Sequence, residues 1–396
     1  MTPAGFAGLA DLFSPAQRVD PYPGYARLRS AAPVWQPMPG LLVLSRHADG
    51  AAVLRDARFG HAEVDPDGSN PEDAVPSFLV LNPPDHTRLR RLVARSFTPR
   101  RVEDLLPRME AISAELVDAI VATETVDLVE AVAQPLPVRV ISELLGIPEV
   151  DRPLLLGWSH ALARSIEPAL LIPSEERAEQ AWARRDFGSY VRQLAAERRR
   201  SPGADLLSDL VRTQDRDEVL TEAELVATCI LLLVAGHETT TSLIGNGLLA
   251  LLRHPEQLDR LRADPELAPA AVEELVRYDS PVQLTMRVAR EDARIGGRDV
   301  PRGWFVVVLA GAANRDPEVH ADPDRLDVGR APSAHLAFGQ GIHFCLGAPL
   351  ARLEAQVAVR ALVRRRPELV AEPEWKDTVV LRGVRRLDVQ FGTPPG

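Results

Sequence analysis

The period of the apolar positions changes along the chain, and each period predicts a different kind of element. In the first hundred residues, short apolar runs are separated by turns, which predicts a strand over residues 40–45 and a short helix over 48–54. Residues 59–78 are rich in Asp, Pro, Gly and Ser and are predicted to form a long irregular loop. Long loops of this kind often carry function.

From about residue 84 to residue 270, apolar residues recur every three or four positions, which is the period of an amphipathic helix. The spacing predicts long helices over residues 101–123, 175–200 and 221–252. The middle of the chain is therefore predicted to be mainly helical.

Shorter elements return after this helical region. We expect a valine-rich strand over residues 304–309, a Pro- and Asp-rich loop over 314–332, and a hairpin over 378–391 that turns at Gly383. No internal repeat, low-complexity linker or clear boundary divides the sequence. The prediction is a single domain, residues 1–396, that is mainly α with small β-sheets.

Composition and charge narrow the class of function. The net charge of -10 argues against a nucleic-acid binder. The two cysteines, Cys229 and Cys345, are too few for a disulfide framework. The N-terminal residues do not have the pattern of a secretory signal, and the apolar segment 225–236 is about a dozen residues long, whereas a membrane span needs roughly 20. We expect a cytoplasmic, monomeric protein with no membrane contact.

The strongest chemical pattern is the segment FGQGIHFCLG at residues 338–347. Its two glycines permit tight turns that a Cβ would block, and Ala348-Pro349 suits the first turn of a helix. The partial positive charge at a helix N-terminus favours a thiolate over a thiol at Cys345. The alternative is that Cys345 is only a small buried apolar residue.

The pattern F-G-x-G-x-H-x-C-x-G resembles the haem-binding loop of the cytochrome P-450 superfamily at every fixed position. The resemblance extends from about Asp20 nearly to the C-terminus and is to the soluble bacterial class. It implies a helix-rich single domain with haem between a long oxygen-activating helix and the cysteine-loop helix. It also implies that Cys345 ligates the iron of haem b (iron protoporphyrin IX) and favours O–O cleavage, with Phe338 as a structural residue of the loop.

The predicted helix 221–252 contains the sequence AGHETT at residues 235–240. Ala235 and Thr239 share a helix face, where small residues leave room for a flat cofactor and a diatomic ligand. Glu238 beside Thr239 offers a proton route for O–O cleavage, and the segment resembles the oxygen-activation motif of the family. The alternative is that the threonines bond back to the carbonyls four residues earlier and that Glu238 is a solvated charge. For His237 we expect only a helix–helix contact.

Glu274 and Arg277 have the i, i+3 spacing of an ion pair on one helix face. By itself such a pair is a weak signal, because surface helices contain many of them. The resemblance implies a structural role, in which the pair locks its helix to the loop that follows.

Haem carries two propionates, so its pocket needs cationic or hydrogen-bonding partners. The positions that match propionate contacts in bacterial family members are His86, Arg90, Arg287 and His343. A solvated surface position is the alternative for each arginine. A basic patch lies around His86 and Arg90. It comprises Arg88, Arg91, Arg95, Arg100 and Arg101, and is either a solvated helix face or a docking surface for an acidic ferredoxin.

The pocket residues are expected by family position to be apolar, which suits a lipophilic small-molecule substrate. They are Val234, Ala235, Val282, Leu284, Val380 and Leu381, together with the loop before Val80, and core packing is an equal alternative for each. Residues 281–284 are predicted as a strand. Residues 59–78 and 165–174 are expected to form the entrance and lid.

The resemblance implies a haem-thiolate monooxygenase that inserts one oxygen atom from O₂ into a C–H or C=C bond. Electrons would come from NAD(P)H through ferredoxin reductase and ferredoxin, and the leading substrate class is a bacterial secondary metabolite such as a macrolide, another polyketide or a terpenoid. Two alternatives stay open: a peroxygenase driven by hydrogen peroxide, and a non-catalytic haem gas sensor.

Overall fold

A computed structural model of the chain describes residues 8–62, 77–120, 125–168, 171–212, 214–215 and 218–391. Parts of three predicted segments lie outside the described residues, namely 63–76 of the loop 59–78, 121–123 of the helix 101–123 and 169–170 of the lid segment 165–174. The chain divides into two compact units. Unit 1 comprises Met1–Gly60, Ser113–Ala133 and Thr240–Gly396, and unit 2 comprises His61–Ile112 and Gln134–Thr239.

Unit 1 contains most of the strands and the helices at both ends of the chain. Its helices are α1 (Leu9–Leu12), α2 (Pro15–Val19), α3 (Tyr22–Ala31), α4 (His47–Arg55), α13 (Pro255–Ala263), α14 (Ala268–Tyr278), α15 (Ala310–Ala313) and α16 (Ala348–Val363). Its strands are β1 (Val34–Met38), β2 (Leu41–Leu44), β3 (Phe59–Gly60), β4 (Val126–Asp127), β7 (Thr285–Ala289), β8 (Ala293–Ile295), β9 (Arg298–Val300), β10 (Phe305–Val308), β11 (Pro367–Leu369), β12 (Glu374–Trp375), β13 (Val384–Arg386) and β14 (Asp388–Phe391).

The main sheet of unit 1 has the strand order β1-β2-β10-β7-β3. Strand β10 runs parallel to β2 and antiparallel to β7, with Val306 opposite both Leu42 and Arg287. Leu42, Leu44, Val306 and Val308 are fully buried and form one core cluster. This packing fixes the position of Arg287 on the neighbouring strand.

Unit 2 is almost entirely helical. Its elements are α5 (Asp85–Ser96), α6 (Pro99–Asp104), α8 (Pro135–Leu145), α9 (Arg152–Ala163), α10 (Ser174–Arg200), α11 (Leu206–Arg212), and the short strands β5 (Gln214–Asp215) and β6 (Glu218–Val219). Trp158 of α9 packs on Phe187 and Tyr190 of α10, with ring centroids 5.2 and 5.3 Å apart. The indole N–H of Trp158 donates to Asp186 at 2.8 Å, so its polar atom is satisfied.

Two helices continue through the division between the units: α7 (Leu106–Ile120) and α12 (Glu222–Leu252). Thr221 and Glu224 exchange side-chain and backbone hydrogen bonds of 3.2 and 2.9 Å at the start of α12, which is a capping box. Among the described helices α12 is long and apolar enough to cross a membrane, but 78% of its most apolar stretch is buried inside the protein. That burial is typical of the core helix of a soluble protein.

Three predictions of secondary structure were wrong, and a fourth, the irregular loop 59–78, was wrong at Phe59 and Gly60, which form β3 and pair with β7. The predicted helix 101–123 is broken at Leu105, because Pro107 has no backbone N–H to donate and is accommodated at the second position of a new helix, α7. The predicted hairpin 378–391 does not form, since β13 pairs with β12, and β14 pairs with β11 and β4. Residues 281–284 are not a strand but make a single β-bridge, between Val282 and Leu381.

Candidate active site

The cysteine loop of unit 1 is shaped by two glycines in a left-handed backbone conformation. Gly339 has φ +68° and Gly341 has φ +70°. A short 3₁₀ turn, Gly341–His343, ends two residues before Cys345, whose backbone N–H donates to the carbonyl of Phe338 at 2.9 Å. Cys345 is partly exposed, and α16 begins three residues after it. The loop therefore presents the sulfur at the N-terminal end of a helix, as predicted.

Phe338 is held by charged neighbours. The guanidinium of Arg352 lies 4.4 Å from the centroid of the Phe338 ring and also pairs with Glu273 on α14. His335 Nε2 lies 3.2 Å from the same carboxylate. Burial alone would raise the pKa of Glu273, but the hydrogen bonds from His335 and Arg352 outweigh it and lower that pKa to about 2. The cysteine loop is thus fixed to α14 by an ionised carboxylate.

Glu274 and Arg277 form a fully buried bidentate ion pair on α14, with N–O distances of 2.7 and 2.9 Å. Arg277 also donates to the carbonyls of Asn314 and Pro323, each at 2.9 Å. The carboxylate of Glu274 accepts from Arg330 at 3.0 Å. The pair therefore connects α14 to the loop 314–330, which is the arrangement that the resemblance implied.

Arg287 on β7 is a buried cation with neutral partners. It is 6% exposed, and its Nη1 donates to Thr285 Oγ1 at 3.0 Å and to the Met286 carbonyl at 2.8 Å. Burial lowers its pKa to about 10. Among the described residues no carboxylate pairs with this guanidinium, and a buried unpaired charge is costly. An anionic group bound at this side chain would offset that cost.

His86 and Arg90 lie one turn apart on α5 of unit 2. His86 is 2% exposed, and burial, followed by the charge of Arg90, lowers its pKa. A neutral imidazole beside a guanidinium can donate to an anion together with it. His343 lies in unit 1 within the 3₁₀ turn of the cysteine loop, so each unit carries part of the predicted set of propionate ligands.

Residues 235–239 of the segment AGHETT lie in the part of α12 that belongs to unit 2, and Thr240 is the first residue of the part that belongs to unit 1. Ala235 is exposed and Leu231, Leu232 and Thr239 are partly exposed, whereas most of the residues around them are buried. These positions recur at three to four residues and so mark one open stripe along a helix that is otherwise packed. The Thr239 hydroxyl donates to the Ala235 carbonyl at 2.5 Å, so the expected alternative of back-bonding occurs here. Its oxygen can still accept a hydrogen bond.

Glu238 is buried, and its neighbours include two residues of α9 that the sequence analysis missed. His160 Nδ1 lies 3.7 Å from Glu238 Oε1, and the hydroxyl of Ser159 lies 2.6 Å from Nδ1 of His237. The helix–helix contact expected for His237 is therefore confirmed. The two α9 residues are about 80 positions away in sequence, and no local motif marks them.

The remaining pocket predictions fall in both units. In unit 1, residues 281–284 lie against 380–382, with Gln283 donating to the Val380 carbonyl at 2.9 Å. This brings together Val282, Leu284, Val380 and Leu381, of which the last three are 4–8% exposed. In unit 2, Val234 is buried and Ala235 is exposed. Val234, Leu284, Val380 and Leu381 are therefore packed in the protein core, whereas Val282 is partly exposed and Ala235 is exposed.

Two of these features fit a haem, the group that the cysteine motif implies. The first is Arg287, whose buried charge suits a propionate carboxylate. The second is the open stripe at Ala235 and Thr239, where small side chains leave a helix face uncovered. Cys345 is the ligand type that a haem-thiolate centre requires. The described residues contain no cluster of three His, Cys, Asp or Glu side chains that could hold a metal ion by themselves.

Residues 166–365 match the family described as cytochrome P-450. The chain belongs to this family and is a monooxygenase of its bacterial class, with haem iron as its cofactor and a redox partner as its source of electrons. It has the fold of that family, a helix-rich structure with small sheets.

Similarity to individual members extends over nearly the whole chain. It is 45% identical over 388 residues to the cytochrome P-450 monooxygenase PikC of Streptomyces venezuelae, covering 94% of this chain and 91% of that protein. It is 42% identical over 409 residues to the 6-deoxyerythronolide B hydroxylase of Saccharopolyspora erythraea, covering 96% and 98%. The solved structure of PksS, the cytochrome P-450 of the bacillaene polyketide synthase of Bacillus subtilis, superposes with a TM-score of 0.88 at 36% identity, covering 96% and 99%.

Proposed function

We propose that the protein inserts one oxygen atom from O₂ into a C–H or C=C bond of a lipophilic secondary metabolite, with a macrolide or other polyketide as the leading class and a terpenoid as a further possibility. The names of similar proteins support this class, since they include a 6-deoxyerythronolide B hydroxylase and a cytochrome P-450 of a polyketide synthase. The observation that carries the proposal is the cysteine loop, in which two left-handed glycines hold Cys345 ahead of α16.

Each residue has a proposed role in this reaction. When bound, the haem supplies the activation of O₂, which consumes two electrons and two protons and leaves one oxygen atom as water. Cys345 would ligate the iron, and Arg287, His343, His86 and Arg90 would hold the propionates. Glu238 would carry the protons, and Thr239, whose hydroxyl hydrogen is donated to the Ala235 carbonyl, would accept a hydrogen bond at Oγ1 from the group that is protonated and so hold it in place. Glu274, Arg277 and Phe338 would hold the loop in place. Both units would act together as one catalytic domain, residues 1–396.

The electrons are proposed to come from NAD(P)H and to pass through ferredoxin reductase and an acidic ferredoxin to this enzyme. The enzyme is proposed to be monomeric and cytoplasmic. The basic patch on and beside α5 supports this partner only in part. Arg88 pairs with Glu224 and Arg101 pairs with Asp209, both within unit 2. Arg95 and Arg100 are exposed, and Arg91 is partly exposed.

The test of this function replaces Cys345 and Thr239 separately. The reduced carbon monoxide complex of the wild type should show the red-shifted Soret band of a thiolate-ligated haem, and Cys345→Ala should lack it; a retained band would contradict the ligand assignment. Thr239→Ala should keep the band but divert NAD(P)H oxidation from product to peroxide. Substrates are found by spectral shift across natural-product classes. Turnover with hydrogen peroxide as fast as with the partner proteins would instead favour a peroxygenase.

A further inference from the structure

Two consecutive residues of α9 lie against two consecutive residues of α12. Ser159 Oγ is 2.6 Å from His237 Nδ1, and His160 Nδ1 is 3.7 Å from Glu238 Oε1. All four residues belong to unit 2. The proposed function makes Glu238 a proton carrier, so the titratable groups near its carboxylate bear on the source of its protons: they include His160 on α9 and His237 on α12, whose Nδ1 lies 4.0 Å from Oε1.

The Ser159–His237 contact is a fixed structural point. Both residues are 0% exposed, and 2.6 Å is a short hydrogen bond between a hydroxyl and an imidazole nitrogen. It fixes α9 relative to α12 at the position that immediately precedes the second contact. The approach of His160 to Glu238 is therefore set by the helix backbones and not by the mobility of the side chain alone.

The second contact joins a buried group to an exposed one. The side chain of Glu238 is 8% exposed, whereas that of His160 is 72% exposed. A distance of 3.7 Å is longer than a hydrogen bond, so the contact closes either by a small rotation of the imidazole or through one water molecule. An exposed imidazole can rotate between the carboxylate and solvent, which a packed residue cannot do.

We propose that His160 is the solvent-side member of the proton relay, and that it reprotonates Glu238 during turnover. The imidazolium passes its Nδ1 proton to Oε1 of the Glu238 carboxylate, which leaves a neutral imidazole and a carboxylic acid. The neutral ring then takes a proton from solvent water and returns to the imidazolium. The proton count balances, because each proton that Glu238 delivers toward the oxygen site is replaced by one from solvent. The inference rests on the proposed function, since it gives His160 a task only if Glu238 carries protons.

Histidine suits this position because it can take up and release protons near neutral pH. Arg164 immediately follows the last residue of α9, and its Nε pairs with Glu176 on α10 at 2.8 Å. A guanidinium does not release protons in proteins, so Arg164 cannot take over the task. Ser159 and His237 act as positioning residues, because their contact holds α9 in register with α12.

The kinetic test compares His160→Gln with Glu238→Gln in the reconstituted holoenzyme. His160→Gln should lower the fraction of NAD(P)H electrons recovered in product by about three- to tenfold, with the balance appearing as peroxide, and should increase the solvent deuterium isotope effect on turnover. His254→Gln is the matched control, because His254 lies beyond the end of α12 and bonds the Ala250 carbonyl at 2.7 Å. It should leave both quantities unchanged.

A second measurement does not depend on activity. In protein labelled with ¹⁵N-histidine, ring correlation spectra of the diamagnetic reduced carbon monoxide form should show His160 protonated at Nδ1. In Glu238→Gln the signal should move toward the Nε2-protonated tautomer. His160→Gln identifies the signal by its loss. A tautomer that is the same in both proteins would overturn the contact on which the relay depends.

The outcomes separate this inference from the proposed function. If Glu238→Gln leaves coupling unchanged, the role of Glu238 in proton delivery fails. If Glu238→Gln uncouples turnover but His160→Gln behaves like the His254→Gln control, only the role of His160 fails. If both variants uncouple, and the solvent isotope effect increases in both, the relay through His160 is supported.

Discussion

The position that a Cβ of residue 341 would occupy lies 2.3 Å from the carbonyl oxygen of Leu54. Gly341 also has φ +70°, a conformation that other residues adopt only with strain. The backbone at the end of α4 thus requires glycine at this point of the cysteine loop.

Gly341→Ala should therefore destabilise the loop by at least about 2 kcal/mol, because the new methyl group must displace backbone atoms and keep a left-handed conformation. Haem content after expression and chemical unfolding of the purified protein measure this effect. Gly347→Ala is the control, since a Cβ there meets nothing within 4 Å. Equal haem content in the two variants would show that Gly341 is not constrained as described.

Arg287→Met should affect the haem-free and haem-loaded proteins in opposite directions. The haem-free protein should gain about 1–3 kcal/mol of stability, because a buried guanidinium without a carboxylate partner is replaced by an apolar chain. The loaded protein should lose haem faster, because a propionate loses its cation. Unfolding of the haem-free form and haem transfer to a scavenger protein measure the two effects, and loss of stability in both forms would argue for a purely structural arginine.

Glu274→Gln should cost about 3–5 kcal/mol of unfolding free energy, since it leaves the buried Arg277 guanidinium without its counter-charge. The neighbouring Glu273→Gln is a matched control, because the side chain of Glu273 is 24% exposed and its partner Arg352 is 28% exposed. Urea unfolding should show a clearly smaller loss for this control. Similar losses in both variants would mean that burial of the pair is not decisive.

His320 should make stability depend on pH in a defined window. It is 2% exposed, and burial, then the charges of Arg277, His47 and other neighbours, lower its pKa to about 4. As the pH falls, the His320 imidazole therefore becomes protonated near pH 6.5 in the unfolded chain but only near pH 4 in the folded protein. Stability should fall by about 2–3 kcal/mol as the pH falls through that range.

His320→Gln should reduce this slope between pH 6.5 and 4, and part of the slope should remain because burial also lowers the pKa of His86. The pKa of the Glu273 carboxylate is lowered to about 2 in the folded protein. Its contribution to the free energy of unfolding should therefore decrease only below about pH 4.5, where this carboxylate begins to be protonated in the unfolded chain. Unfolding free energies measured at several pH values separate the two windows. An unchanged slope in His320→Gln would contradict the assignment.

Charge reversal at Arg91 and Arg95 should slow reduction by an acidic ferredoxin about tenfold at low ionic strength, with a smaller difference at high salt. Stopped-flow reduction with increasing salt measures this. Reversal of Arg298, an exposed residue on β9 of unit 1, is the control and should have little effect. Equal rates for all variants at every ionic strength would exclude the patch as the docking surface.

The sequence was most informative where a local pattern determines a local structure. The spacing of apolar residues predicted α10 and α12 to within one residue at each end, because their periodicity is long and uninterrupted. The cysteine loop was predicted from its glycines, and both have the left-handed backbone that their pattern required.

The errors arose where distant segments compete. Residues 378–391 have the composition of a hairpin, but Gly383 lies against Ser242 of α12, and strand β14 pairs with β4, which lies about 260 residues earlier in the chain. Strand pairing over long separations leaves no local signal. For the same reason the sequence did not indicate His160, because its proposed role depends on the packing of α9 against α12.

The contacts of α14 have a consequence for recombination between family members. Consecutive carboxylates of this helix face two different loops, since Glu273 pairs with His335 and Arg352 while Glu274 accepts from Arg330. A chimaeric enzyme assembled with a junction between residues 274 and 352 would inherit these partners from different parents. Residues 268–363 should therefore be exchanged as one cassette. Junctions outside this range keep α14, the residues Arg330 and His335, and α16 from the same parent.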